Sequence, residues 1–419
     1  STRDLIMSVE DLSMFKFLYS VLNRVHVAYV GTYPPRECGI ATFTQDLTSE
    51  IDKFTPFSKS RIVAMNDRGA IYAYGDKVFI QVDSSDEQAY ITAAEALNKS
   101  NVDLINIQHE FGIFGGEYGE YLLTMLKHLR KPVVTTLHTV LPNPAPKMRD
   151  IVQKINYHSQ ALVVMVKKGA EILFNDYGLD ADKMYLIPHG VPNVHRWPSM
   201  PVKKRLGLGT KTIMSTFGLI NRGKGIEHVI DALPAIVDKH PDIIYLILGQ
   251  THPGVRRHEG ENYRDMLLQK VHDNGLINHV RFNNRYMTKK ELVDYLLATD
   301  VYVTPYLSKD QICSGALAYA VGAGKAIVST PYLYAREVLA NGRGLLTEFE
   351  YPDGIAECVC NILGSSELRQ QMELKTFKYG RKMSWHNVAI DYLDLFDRIL
   401  SFSSRLNERM ISRRLKSKI

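Results

Sequence analysis

From Val25 onward, short runs rich in valine and isoleucine alternate with stretches whose apolar residues recur at helical spacing. RVHVAYVG, RIVAMND, KVFIQVD, VDLINIQHE, PVVTTLHT and ALVVMV are continuous apolar runs without polar alternation, the pattern of parallel strands covered on both faces. Helices are predicted between them, for example over residues 40–51 and 119–129, so this part of the chain repeats a strand-helix-strand rhythm. YLIPHGVPNVHRWPSMPVKKRLGLG, rich in proline and glycine, then interrupts it and predicts a linker near residues 188–210. TIMSTFG, IIYLILG, HVRFNN, DVYVTPY, AIVSTPY and GRGLLTE restart the rhythm. The expected organisation is an α/β chain of two doubly wound domains, over residues 25–200 and 205–380.

The flanks read differently. Residues 1–24 carry apolar residues at helical spacing broken by Glu10, Asp11 and Lys16, which predicts an amphipathic helical extension and not a signal peptide. Residues 385–400, WHNVAIDYLDLFDRIL, predict a helix with one apolar stripe. Residues 401–419 form a basic tail with Leu406, Met410, Ile411 and Leu415 interleaved, a solvated terminal helix or a peripheral contact with an anionic membrane.

Composition narrows the function classes. At 419 residues the chain is long for one core, and 45% hydrophobic with 23% charged residues is ordinary for a globular protein. A formal net charge of +6 does not imply nucleic acid but suits an anionic ligand. Cys38, Cys313, Cys358 and Cys360 show no CxxC spacing, so neither a zinc site nor a disulfide framework is expected and a reducing cytoplasm is the simpler setting. No run approaches about 18 uninterrupted apolar residues, so no transmembrane helix is expected.

Candidate chemistry concentrates where strands give way to helices. The first such loop, Gly31-Thr-Tyr-Pro-Pro-Arg-Glu-Cys-Gly39, puts Gly39 at a helix mouth, where backbone amides and the helix dipole favour a phosphate. Gln108, His109 and Glu110 end an apolar run in NIQHEFGIFGGEYG, and polar residues at the carboxyl end of a sheet strand face a ligand crevice; His109 and Glu110 are candidates for acceptor hydroxyls. TTLHTV places His138 after the next strand. In the second domain, Phe217-Gly-Leu-Ile-Asn-Arg-Gly-Lys-Gly225 offers Gly218, Arg222 and Lys224 at a strand-to-helix turn, where cations would stabilise a departing diphosphate. A polar loop over residues 308–315 then opens a small-residue helix, bringing Gln311, Ser314 and Gly315 to another helix mouth.

Taken together these motifs resemble the retaining glycosyltransferases of family 4, which have the GT-B fold, and the resemblance runs from Val25 to Leu400. The family carries a Pro-Pro and glycine-rich turn in the first loop, with Gly39 matching its second glycine and Cys38 replacing the first. Thr136 and His138 match a Thr-x-His whose histidine points at the donor sugar. IPHGV at residues 187–191 matches Ile-Pro-Asn-Gly-Val, with His189 for asparagine. Lys224-Gly225 matches the family's Lys-Gly; the family arginine falls where this chain has Leu219, so Arg222 would substitute. The family's paired glutamates, with seven residues between them, fall on Gln311 and Tyr319, and Glu337 matches a later Pro-Glu-Val region and could act instead. Asp180-Ala-Asp182 copies a metal-binding pattern of another glycosyltransferase fold, but GT-B enzymes generally need no metal, and neither metal nor other cofactor is expected.

The resemblance implies two Rossmann-like domains facing a central cleft. The C-terminal one would hold most of a nucleotide-diphosphate sugar, GDP- or UDP-linked, through Gly218, Gln311, Ser314, Gly315, Tyr319 and Glu337, with Gly39 of the N-terminal one also binding the donor. The N-terminal one would hold a carbohydrate or glycolipid acceptor, and His138, Lys224 and Arg222 would be catalytic. It also implies that the helix over 385–400 crosses back to the first domain, and that the leaving phosphate oxygen takes the acceptor proton, so no enzymic nucleophile is required. Loss of both glutamates leaves two alternatives: a phosphorylase using a sugar 1-phosphate, or a non-catalytic sugar-binding homologue.

Overall fold

The apolar runs fold into two all-parallel sheets. The computed structural model describes residues 25–196 and 198–416, with backbone alone beyond Ser401. The helical extension expected over residues 1–24 and the side chains of the basic tail lie outside the described residues. One unit takes the chain up to Pro188 together with the segment from Trp385; the other runs from His189 to Ser384.

The first unit contains β1 (Val27–Gly31), β2 (Arg61–Asn66), β3 (Val78–Asp83), β4 (Leu104–His109), β5 (Val133–Leu137), β6 (Ala161–Val164) and β7 (Met184–Leu186) in the order β3-β2-β1-β4-β5-β6-β7. β1, β4, β5 and β6 are buried along their whole length, which is why they read as unbroken apolar runs. β3 sits at the edge and is partly exposed, and the three-residue β7 carries no such run. The helix predicted over 40–51 spans Gly39–Phe54. That predicted over 119–129 spans Tyr121–His128, because Gly119 adopts φ 73° and ends the preceding turn.

A helix from Trp385 to Lys416 completes this unit, continuous across the boundary expected near residue 400. Its apolar stripe packs inward: Trp385 meets Phe43 edge-on at 5.1 Å between ring centroids and Phe396 meets Tyr29 at 6.3 Å. Polar contacts fix its rotation, with the Tyr392 hydroxyl 2.8 Å from Thr136 Oγ1 and His386 Nδ1 3.3 Å from Glu50. Among the described residues no helix is long and apolar enough to cross a membrane.

The second unit contains β8 (Thr212–Phe217), β9 (Ile243–Leu248), β10 (Val280–Asn283), β11 (Val301–Thr304), β12 (Ala326–Ser329) and β13 (Leu345–Leu346), ordered β10-β9-β8-β11-β12-β13. β9 explains the double winding. Ile243, Tyr245 and Ile247 enter one apolar cluster while Ile244, Leu246 and Leu248 enter another, as the two-residue period of a strand requires.

Much of the expected linker is part of this unit. Residues Ser199–Arg205 are helical, and Lys203 is buried with its ammonium 2.6 Å from Asp300. Val191 pairs with Ser384 in a single parallel bridge, and the Val191 amide donates to the Met383 carbonyl at 2.8 Å, so the segments entering and leaving the unit touch there. Proline and glycine there shape a packed turn, and the division falls at Pro188.

Candidate functional site

In an open doubly wound sheet, ligands bind outside the carboxyl ends of the strands where strand order reverses. In the first unit that point lies between β1 and β4, and in the second between β8 and β11. Four of the loops singled out in the sequence leave those four strands, and His138 follows β5, the neighbour of β4.

In the first unit, the loop after β1 is held by its arginine. Arg36 donates to the Met65 carbonyl at 2.7 Å and pairs with Asp67 at 2.8 Å, tying the loop to the end of β2. Gly39 opens the next helix, exposed and with open space around it, and Cys38 supplies no side-chain cap. Gly31 comes so close to β4 that a Cβ there would lie 3.0 Å from that of Gln108.

β4 and β5 end in a buried polar chain. Asn106 donates to the Val134 carbonyl at 3.1 Å, Gln108 Nε2 donates to Asn106 Oδ1 at 2.5 Å, and Gln108 Oε1 lies 2.8 Å from His138 Nε2. With the Gln108 amide nitrogen already donating, its carbonyl must accept, so His138 carries its proton on Nε2. Phe43 packs edge-on against the imidazole at 4.8 Å.

His109 corrects an expectation. It is fully buried between Phe111 and a stacked Phe114, with both ring nitrogens lacking a hydrogen-bond partner. Sealed in this way it cannot contact acceptor hydroxyls, and burial pushes its pKa down to about 4. Glu110 is placed differently. It is half-buried at the end of β4, accepts from the Thr139 hydroxyl and, at 3.0 Å, from the Phe111 amide, and burial raises its pKa against those bonds.

In the second unit the loops after β8 and β11 are clamped together. The Leu307 amide donates to the Gly223 carbonyl at 3.0 Å, and a Cβ on Gly225 would lie 2.2 Å from the Pro305 carbonyl oxygen. Gly225 also adopts φ 62°, so glycine is required there twice over. Lys224 is half-buried, with its ammonium 3.9 Å from the centroid of the Tyr306 ring. A Cβ on Gly218 would lie 4.0 Å from that nitrogen. Arg222 points elsewhere: it is exposed, lies 3.6 Å from Glu259 and stacks over Tyr263 at 5.4 Å.

Ser314 caps the helix Gly315–Gly322, its hydroxyl accepting from the Leu317 amide at 3.2 Å. Gln311 donates to the Cys313 carbonyl at 2.8 Å and so braces its own loop. His189 packs beneath the helix mouth, with Nε2 3.2 Å from where a Gly315 Cβ would stand; burial lowers its pKa to about 4. Tyr319 is 7% exposed, between His189 and Phe217, each with ring centroids 6.3 Å from its own. Glu337 lies further along, in the helix Leu333–Val338, where its charge acts on the guanidinium of Arg343.

The structure thus gathers Gly218, Lys224 and the loop carrying Gln311, Ser314 and Gly315 at one switch point, and Gly39, Glu110 and His138 around the other. Arg222 faces Glu259, the charge of Glu337 acts on Arg343, and His109 is enclosed. Gln108, Asn106 and Tyr306 were not singled out as site residues. Asp180 and Asp182 are exposed around a short turn, and among the described residues no three histidine, cysteine, aspartate or glutamate side chains gather as a metal ligand set.

Two parallel doubly wound units, each with its polar loops at the switch point, define a GT-B architecture. The model of the glycosyl transferases group 1 matches residues 202–379, and the model of Glycosyltransferase Family 4 matches residues 85–193. Spore coat protein SA of Bacillus subtilis is 26% identical over 207 residues, 47% of this chain and 52% of that protein. A D-inositol 3-phosphate glycosyltransferase of Jonesia denitrificans is 24% identical over 288 residues, 64% of this chain and 66% of that protein. The chain therefore spans between half and two thirds of the length of these curated relatives. Among solved structures, HepE from Anabaena, in complex with UDP and glucose, covers 89% of this chain and 99% of its own at 14% identity, with a TM-score of 0.70. That likeness carries the fold alone.

Proposed function

We propose that the chain is a glycosyltransferase that moves a hexose from a UDP- or GDP-linked sugar to a carbohydrate or glycolipid acceptor with retention of configuration. One observation carries the reading: the Lys224 ammonium stands beside Gly218 and over Tyr306 at the β8/β11 switch point. A fixed cation at that place meets a diphosphate as its leaving charge develops. The amides at the Ser314-capped helix mouth add donors for the same phosphates. In the other unit, His138 would face the donor sugar and Glu110 an acceptor hydroxyl. Relatives support the class, a D-inositol 3-phosphate glycosyltransferase and a phosphatidyl-myo-inositol mannosyltransferase among them.

Tyr319 favours a second reading. A buried tyrosine stands where the family's ribose-binding glutamate falls, and a phosphorylase acting on a sugar 1-phosphate needs no nucleotide subsite. A thermal-shift panel of UDP, GDP, ADP and glucose 1-phosphate separates the two, because a ligand that binds only the folded chain raises its melting temperature. Stabilisation by UDP or GDP is the expected result. Stabilisation by glucose 1-phosphate alone would replace the transferase reading with the phosphorylase.

A further inference from the structure

We infer that Tyr306 is a positioning residue for Lys224, its ring fixing the ammonium where a diphosphate would meet it. The inference rests on the reading of Lys224 as a diphosphate ligand. The Tyr306 ring cannot turn away. It is 1% exposed and stacks on Tyr332 at 5.3 Å between centroids and 17° between planes. The Tyr332 hydroxyl is in turn held 2.8 Å from Thr304 Oγ1, and the Tyr306 carbonyl accepts from the Thr330 hydroxyl at 2.5 Å.

The choice of an aromatic ring has a chemical reason. A lysine has a long flexible stem and a strongly hydrated head, so it needs an anchor to act as a fixed charge. A carboxylate would anchor it but would neutralise it and compete with an incoming diphosphate. The face of an aromatic ring attracts the cation through its quadrupole and leaves the full charge available. Among the described residues no carboxylate lies within ion-pair distance of Lys224. The Tyr306 hydroxyl is buried without a hydrogen-bond partner, so it is the ring that the site uses.

The test replaces Tyr306 by phenylalanine and by phenylalanines bearing one, two and three ring fluorines, near-isosteric changes that weaken the π face stepwise. Inorganic pyrophosphate, UDP, GDP and ADP are titrated calorimetrically into each full-length protein. Tyr306→Phe should bind within about twofold of the unsubstituted protein. Each fluorine should then raise the dissociation constant for pyrophosphate, to about three- to tenfold with three. The same series built on Lys224→Ala should be flat. A flat series with Lys224 present, an equal slope without it, or tighter binding on fluorination would overturn the inference and leave the diphosphate reading standing. Binding of none of the four probes, or binding that Lys224→Ala leaves unchanged, would overturn both.

Discussion

His138 Nε2 and Gln108 Oε1 lie 2.8 Å apart at the carboxyl ends of two neighbouring strands, and that bond sets which imidazole nitrogen bears the proton. Gln108→Leu is therefore expected to leave a buried N–H unpaired and to destabilise the fold by about 1–3 kcal/mol in urea titrations. Long-range nitrogen-15 spectra should at the same time lose the signature of an Nε2-protonated ring at His138. An unchanged tautomer would mean that another contact holds it.

Acid should weaken the protein through two buried imidazoles. His109 and His189 protonate near pH 6.5 when unfolded but only near 4 when folded. Between those values the unfolded chain binds more protons, so their contribution is complete above pH 6.5 and is lost as pH falls toward 4, by up to about 3 kcal/mol each. In His109→Phe one contribution disappears, and its stability relative to wild type should rise steadily from pH 6.5 to pH 4 in chemical denaturation. A constant difference across that range would show that His109 protonates normally.

The two cations of the β8 loop should separate cleanly. Lys224→Ala is expected to lower turnover by about 100- to 1,000-fold, as loss of a transition-state charge partner does. Arg222→Ala should lower it less than about tenfold, since this exposed side chain already faces Glu259. Equal losses would place both groups on the diphosphate.

Tyr319 tests the alignment of the helix that carries it. Tyr319→Ala should cost about 3–5 kcal/mol of ligand-free stability, as removal of a buried aromatic ring does. If it also raises the Michaelis constant for the donor, the ring serves the nucleotide as well as the core. Unchanged affinity would confine it to packing. Gln311→Ala, which frees the Cys313 carbonyl and slackens the loop, should lower activity with every donor.

Chelation addresses the leaving group. With Lys224 and helix amides meeting the diphosphate, turnover should persist in excess EDTA. Collapse would call for a bridging metal and direct attention to Asp180 and Asp182.

The strands were legible because double winding buries both faces of each central strand, and an unbroken apolar run is the direct result. β7 escaped because three residues, none of them buried, make no run, and Ser199–Arg205 because proline and glycine around a packed helix resemble a linker. The order Gln108-His109-Glu110 carried a signal that was passed over. Alternate strand residues share a face, so Gln108 belongs with Asn106 and His109 points the other way. Its burial in aromatic rings is what that phase implies. The contact of Lys224 with Tyr306 was beyond reach, since it joins loops after two strands whose adjacency is known only once the sheet is assembled.

The pairing of Val191 with Ser384 and the docking of Trp385 onto Phe43 have a consequence for synthesis. The unit that begins first is finished last: a ribosome must release the final helix before Tyr392 can reach Thr136, whereas residues 189–384 have all their strands by then. Nascent chains stalled just after residue 384 has cleared the exit tunnel should therefore resist protease over 189–384 while 25–188 is still cut. Early protection of 25–188 would show that its sheet closes without the helix.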